Sequence, residues 1–283
     1  TYVALDVRPD DVVLQLPSTA FDMSLPDLIG PLIHGLRVVL LREWQVRDPS
    51  EIASALQAQK VSAVLSIVPS LLSAVVDAVS VQGTRTPSLR LIATGGETHS
   101  RDLARKTLGT FGRQIRLYNL YGPTETTGEA TVYRIADVPA DQTSIPIGHP
   151  LPNVSVYVLD RSLQLTGIGI PGELYLGGLG VAKGYVHRPE LTAERFIRSP
   201  FDSDAVLYKT GDRGRWLANG ELEFLGRLDH QIKVRGYRVE LEEIEPALCE
   251  HSAVRQAVVE TYEPVPDDRH LVAYVVPAAT VRN

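Results

Sequence analysis

The feature that most limits what this chain can fold into is a series of five short apolar segments: VVLQL at 12–16, RVVLL at 37–41, VSAVLSI at 61–67, LRLIAT at 89–94 and IRLYNL at 115–120. They are too short for fully buried helices and rich in β-branched residues, which favours strands. Between them lie stretches with helical spacing, EIASALQAQ at 51–59 and PSLLSAVVDAV at 69–79. Strands that are apolar on both faces need cover on both faces, so the alternation predicts βα units around a largely parallel sheet to about residue 120.

After Gly122 the character changes to short strands set off by Gly and Pro, including TVYRI, VSVYVLD, GELYLGG, AVLYKTG, GRWLANG and ELEFLG. An antiparallel, β-rich region is expected there. A third pattern begins near Gly226: a strand, HQIKVRG, an acidic helix start, VELEEIEPALCEH, and two strands, RQAVVETYE and HLVAYVVP. The predicted class is therefore α/β, with a large lobe over residues 1–228, a hinge, and the start of a small α+β lobe over 229–283.

Composition narrows the partners. A formal net charge of -6 leaves no basic field for a polyanion, so nucleic-acid binding at large is not expected, although a local nucleotide site is compatible with it. No apolar run is long enough to span a bilayer, and the first residues show no targeting pattern. The one cysteine, Cys249, cannot form an internal disulfide or a thiolate zinc cluster, which fits a reducing, cytoplasmic setting; it is expected to be buried and inert. The sequence begins in mid-pattern without Met, as a fragment would.

Chemistry concentrates in a few turns. NLYGPTE, Asn119 to Glu125, ends a predicted strand in a Gly-Pro turn, which would present Tyr121, Thr124 and Glu125 together. A ring there can stack on a base, and a carboxylate suits a magnesium ion shared with phosphates; the plain alternative is a turn with a solvated Glu. YKTGD, Tyr208 to Asp212, reads as a strand ending in a Gly turn with Asp212 at its rim, where a carboxylate can accept ribose hydroxyls. In GRLDHQIKVRGYRVELEEIE, Arg227 could reach a ribose or phosphate, Asp229 sits at the lobe boundary and Gly236 supplies a turn. Lys233, Arg235 and Arg238 alternate with apolar residues as a solvated strand face would. The glycines of ATGGE, Ala93 to Glu97, let a flat ring approach the backbone, though an ordinary strand-to-helix turn looks the same. In FDMS, Asp22 precedes a helix-like run, where capping is the default duty.

Read in order, FDMS, GGE, NLYGPTE, GELYLGGLGVAKGY, YKTGDRGRW and GRLDHQIKVRGYRVELEEIE resemble successive core motifs of the adenylate-forming superfamily, in the style of adenylation domains of nonribosomal peptide synthetases. The resemblance implies that Asp22 pairs with the α-amino group of an amino-acid substrate. It also implies that Gly95, Gly96 and Glu97 run along an adenine with Tyr121 stacked on it, and that Asn119 and Gly122 belong to the same nucleotide site. Thr124 would lie by the α-phosphate, Glu125 on magnesium, and Asp212 and Arg227 on the ribose, with Asp229 as the hinge. Met23, Pro26, Ser70, Ala93, Gly95, Leu120, Gly128 and Glu129 would line the substrate pocket, and Glu129 would then favour a substrate side chain with a cation or hydrogen-bond donor.

The implied reaction uses ATP and Mg2+ to form an aminoacyl adenylate, then loads a phosphopantetheine thiol on a peptidyl carrier protein beside neighbouring synthetase domains. Three departures stand out: the family's phosphate loop would precede residue 1, its catalytic lysine would follow residue 283, and Glu242 stands where Gly is usual. The first two imply that these residues alone are nearly inactive. The rival readings are an acyl-CoA or aryl-acid ligase, a noncatalytic nucleotide-binding or carrier-interacting module, and a purely structural protein.

Overall fold

A computed structural model describes residues 1–112, 114–138, 145–229, 231–234, 236–263 and 270–278. Its first part runs α1 (Tyr2–Leu5), β1 (Val12–Gln15), α2 (Ser24–Ile33), β2 (Arg37–Leu40), α3 (Glu43–Val46), α4 (Pro49–Ala58), β3 (Ala63–Ile67), α5 (Pro69–Gln82), β4 (Leu91–Thr94), α6 (Arg101–Phe111), β5 (Arg116–Tyr121), β6 (Thr131–Ile135) and β7 (His149–Pro150). These seven strands form one sheet in the order β2-β1-β3-β4-β5-β6-β7, the first five parallel and the last two antiparallel.

Alternate residues explain why those apolar runs are continuous. Leu14, Val64, Ile92 and Leu117 face a core built with Ile52 and Leu56 of α4, Leu72, Val75 and Val76 of α5, and Leu103 of α6. Their strand neighbours Val13, Leu65, Leu91 and Leu120 face a second core with Leu5 of α1. Both faces are therefore buried, and each large side chain contributes about 1.5–3 kcal/mol of transfer free energy. Local signals set the helix ends: Asp48 accepts from the Ser50 amide ahead of α4, Ser100 accepts from the Leu103 amide in α6, and Gly83 closes α5 at φ +63°.

The chain continues through β8 (Val154–Leu159), β9 (Gly172–Gly178), α7 (Pro189–Arg195), β10 (Phe196–Arg198), β11 (Val206–Trp216) and β12 (Leu222–Arg227). They form an antiparallel sheet in the order β10-β11-β9-β8, with β12 added beside β11. Here the structure corrects the sequence reading. AVLYKTG and GRWLANG are one strand, and YKTGD is no terminal turn: β11 passes through it with a register shift between Lys209 and Arg213, Gly211 standing at φ +74°. From Lys209 to Arg213 β11 advances four residues while its partner β9 advances two, Tyr175 to Glu173, and the positive-φ glycine lets the chain bulge so that the ladder resumes instead of ending.

Last come β13 (Gln231–Val234), β14 (Tyr237–Glu240), α8 (Leu241–Cys249), β15 (Val254–Tyr262) and β16 (His270–Pro277). Two expectations fail here. Residues 237–240 form a second hairpin strand paired to β13, so the helix begins only at Leu241; pairing overrides the helical leaning of the acidic run. Cys249 is exposed, because α8 turns residues 241, 244, 245 and 248 inward and Cys249 lies off that stripe. Arg235 and the side chains of Arg238 and Glu242 lie outside the described residues. Among the described residues no helix is long and apolar enough to cross a membrane.

His99, after β4, has almost no exposed surface, and its Nδ1 lies 3.2 Å from the Thr94 hydroxyl. Burial lowers its imidazole from 6.5 to about 4. The folded state thus refuses a proton that the unfolded chain accepts, so stability falls as pH drops from about 6.5 towards 4, by up to about 3 kcal/mol. Urea unfolding at pH 7 and pH 4.5 should show a smaller pH-dependent loss in His99→Gln than in the parent; equal losses would remove His99 as the cause.

Candidate functional site

The residues singled out in the sequence gather at the carboxyl ends of four neighbouring parallel strands. Asp22 follows β1, Ser70 follows β3, Gly95 to Glu97 follow β4, and Tyr121 ends β5 with Gly122 to Glu125 after it. That rim is where open α/β sheets bind ligands, since the loops there diverge to either face.

Glycines permit the close packing of those loops. A Cβ on Gly122 would sit 2.3 Å from the Gly128 carbonyl oxygen, so the turn after β5 closes only with Gly. Gly128, at φ +83°, faces Asp22 and Met23: a Cβ there would lie 3.4 Å from Asp22 Oδ2 and 3.4 Å from the Met23 sulfur. Gly95 lies against Leu120, a Cβ on it being 3.3 Å from the Leu120 carbonyl oxygen. Ala93 and Leu120 are buried in the same core cluster. Pro26 accepts a hydrogen bond from the Tyr2 hydroxyl, and Ser70 donates its amide and hydroxyl to Glu97.

A second group joins the first sheet to the antiparallel one. The Tyr121 hydroxyl donates to Asp212 Oδ2 at 2.6 Å, and Arg227 Nη1 donates to Asp212 Oδ1 at 2.6 Å. The same guanidinium forks onto Asp229, Nε to Oδ1 at 2.6 Å and Nη2 to Oδ2 at 2.7 Å, and Nη2 also reaches the Thr210 carbonyl at 3.2 Å. The β11 bulge carries Asp212 into this position, and the Leu228 amide returns a bond to the Gly211 carbonyl. Burial raises the Asp212 carboxyl above its ordinary value, with Arg227 and Tyr121 opposing it. Burial, then the Asp212 charge, pushes the Tyr121 phenol well up. At Asp229 burial also acts upward, but the bonds and charge of Arg227 outweigh it and hold the carboxyl below the usual range. Each Asp212 oxygen accepts one of these two bonds, which leaves lone pairs that a diol could use.

Glu125 is buried, and its Oε1 accepts from the Tyr185 hydroxyl at 2.6 Å; Tyr185 in turn lies 3.3 Å from the Tyr208 hydroxyl. Burial, followed by the bond to Glu125, pushes the Tyr185 phenol up. Thr124 is exposed at the start of the same short turn. Asn119 stands apart: it is buried and donates to the Pro146 carbonyl at 2.9 Å. Burial also raises the Glu129 carboxyl, opposed by a bond to Thr1 and the amino-terminal charge and aided by the Asp22 charge, and Glu129 Oε1 has no hydrogen-bond partner among the described residues. Sequence reasoning missed Tyr185, Tyr208 and the fully buried Asp27, whose carboxyl is raised by burial. Tyr185 stands inside a quoted motif, GELYLGGLGVAKGY, but its contact with Glu125 spans 60 residues and has no local signal.

The profile of the AMP-binding enzyme family matches residues 1–186. Among curated proteins, a linear gramicidin synthase of Brevibacillus parabrevis is 46% identical over 267 residues, covering 94% of this chain and 3% of its own length. Bacitracin synthase 1 of Bacillus licheniformis is 40% identical over 271 residues, covering 96% and 5%. A surfactin synthase of Bacillus subtilis (strain 168) is 39% identical over 272 residues, covering 96% and 7%. The chain thus spans only a small part of these relatives. Among solved structures, an artificially fused adenylation-PCP di-domain, NpsA-ThdA from Klebsiella oxytoca, aligns with a TM-score of 0.83 at 28% identity over 97% of this chain and 54% of that one. The Vibrio cholerae adenylation domain AlmE, in complex with glycyl-adenosine-5'-phosphate, aligns with a TM-score of 0.84 at 28% identity over 97% and 51%.

The chain belongs to the AMP-binding enzyme family, and within it to the adenylation domains of nonribosomal peptide synthetases.

Truncating Arg227 leaves the buried Asp212 without its hydrogen-bonded cation, whereas Asp229 keeps Arg195 at 3.9 Å, and loss of one partner from a buried pair costs about 3–5 kcal/mol. Arg227→Ala should therefore lower the urea midpoint markedly, and adding Asp212→Asn should recover part of the loss. No recovery in the double variant would mean that the buried Asp212 charge is not the source.

Proposed function

We propose that this chain carries the amino-acid and adenosine sites of an enzyme that activates an amino acid with ATP and passes it to a carrier-protein thiol. The observation that carries the reading is the joint placement of Asp22, Gly95, Tyr121, Asp212 and Arg227 around one strand-end rim, with Asp22 against Gly128 and Tyr121 bonded to Asp212. In this reading a substrate carboxylate oxygen attacks the α-phosphorus, a P–O bond forms and pyrophosphate leaves. A phosphopantetheine sulfur then attacks the acyl carbon and AMP departs. The relatives are synthetases, and one aligned adenylation domain binds an aminoacyl adenylate, which supports this choice over an acyl-CoA or aryl-acid ligase.

The chain's own groups take defined parts. Gly95 and Gly96 offer bare backbone to the adenine; the Glu97 carboxylate is engaged by Ser70 and Gly236, so any part it plays on the base is its backbone's. Tyr121 stacks its ring while its hydroxyl steadies Asp212, and Asp212 with Arg227 holds the ribose. Thr124 lies by the α-phosphate. Glu125 contributes a single carboxylate: among the described residues no group of three His, Cys, Asp or Glu could hold a metal. That fits magnesium, which takes one or two carboxylates and completes its shell with phosphates and water; when bound it would neutralise charge on those phosphates. Asp229 marks the start of the small lobe and serves as its hinge. The acidic charge and lone cysteine fit the cytosol.

Asp22 selects amino acids by pairing with the α-ammonium, and Glu129 points to a side chain bearing a cation or hydrogen-bond donor, because its buried Oε1 has no partner among the described residues and an unsatisfied buried acceptor is costly. Pyrophosphate exchange in the full-length protein should favour Lys, Arg or ornithine over Leu and Val. Glu129→Gln should narrow that preference by roughly tenfold or more, and Asp22→Ala should abolish exchange with every amino acid. Preference for Leu or Val in the parent would refute the assignment of Glu129.

A further inference from the structure

The Glu97 carboxylate joins three segments that are far apart in the sequence. Its Oε2 accepts from the Ser70 amide at 2.9 Å, and its Oε1 accepts from the Ser70 hydroxyl at 3.1 Å and from the Gly236 amide at 2.7 Å. Ser70 is the second residue of α5, whose N-cap, Val68, makes no side-chain cap and whose first residue, Pro69, has no amide proton. The Ser70 amide is thus the first donor of that helix needing a partner, and the carboxylate faces the helix's positive end. The large lobe holds Glu97 in place by itself; the hairpin β13–β14 then adds the Gly236 bond.

Two further contacts seat the hairpin. Gly236, at φ +80°, lies on Val68: a Cβ there would be 2.8 Å from Val68 Cγ1. Tyr237 meets Phe21 edge to face, with ring centroids 5.3 Å apart and planes at 74°. Phe21 precedes Asp22, Val68 precedes the α5 start with Ser70, and Glu97 follows Gly95 and Gly96. The hairpin therefore rests on the same three loops that carry the amino-acid end of the site.

We propose that Glu97 is a positioning residue that fastens the β13–β14 hairpin as a lid over the Asp22 end of the site and keeps water from it. What lies beneath the lid rests on the function proposed above; the fastening itself does not require turnover. One charged acceptor thus collects donors from both sides, Ser70 of the large lobe and the Gly236 amide of the hairpin, and removing it takes away the hairpin's bond to the loop after β4.

Hydrogen exchange by mass spectrometry on the full-length protein tests this. Peptides over 231–240 should exchange on the order of tenfold faster in Glu97→Ala, while peptides of β3 and β4 keep their rates. Glu97→Gln, which retains an acceptor for the Gly236 amide, should restore part of the protection. Tyr237→Ala, which leaves the large lobe intact, should loosen the hairpin to a smaller degree. Unchanged hairpin exchange in Glu97→Ala and Tyr237→Ala would overturn the proposal, and so would equal acceleration throughout the core, which would make Glu97 a folding residue. Pyrophosphate exchange on the same samples separates the two readings. In the parent protein, a protected hairpin without exchange activity defeats the proposed function alone, and activity with an unprotected hairpin defeats the lid alone.

Discussion

Arg227 is the interaction on which the arrangement depends. One guanidinium holds Asp212 on β11, Asp229 at the entry to the last segment and the Thr210 carbonyl in the bulge, and Asp212 in turn fixes the Tyr121 hydroxyl at the end of β5. A buried ion pair of this kind adds little net stability, since desolvating both charges offsets most of their attraction. What it secures is position: a planar fork with several donors satisfies two carboxylates only in one geometry. The parallel sheet, the antiparallel sheet and the following hairpin are thereby aligned on one side chain.

Around that point the loops come together because side chains are missing. Gly122 closes on Gly128, Gly128 opens onto Asp22 and Met23, and Gly95 lies on Leu120. Each contact brings backbone where a Cβ would collide or crowd, so the rim is built from main chain and presents only a few polar groups. This is the usual economy of a ligand site: a mostly nonspecific wall with a small number of fixed polar contacts.

The first sheet was legible because physics wrote it locally. Five apolar runs and two helical periods suffice to place β1 to β5, α4 and α5, since strands buried on both faces cannot hide their composition. The strand-end turns were legible for the same reason, as Gly and Pro must appear where the backbone needs them. Long-range pairing was not. Nothing adjacent to Gly211 says that the strand resumes after it, and the acidic residues near 240 read as helix until β14 pairs with β13. The Cys249 position required knowing which face of α8 is covered. Glu97 gave its residue type but not its partners, 27 and 139 residues away.

The bulge in β11 turns the spacing of this strand into information of its own. Side chains on a strand alternate between faces, so one residue more or fewer between Lys209 and Arg213 would turn everything beyond it to the opposite side. Asp212 would leave Tyr121 and Arg227 although every amino acid concerned was still present. Substitutions in β11 are judged one residue at a time, but its length behaves like a reading frame.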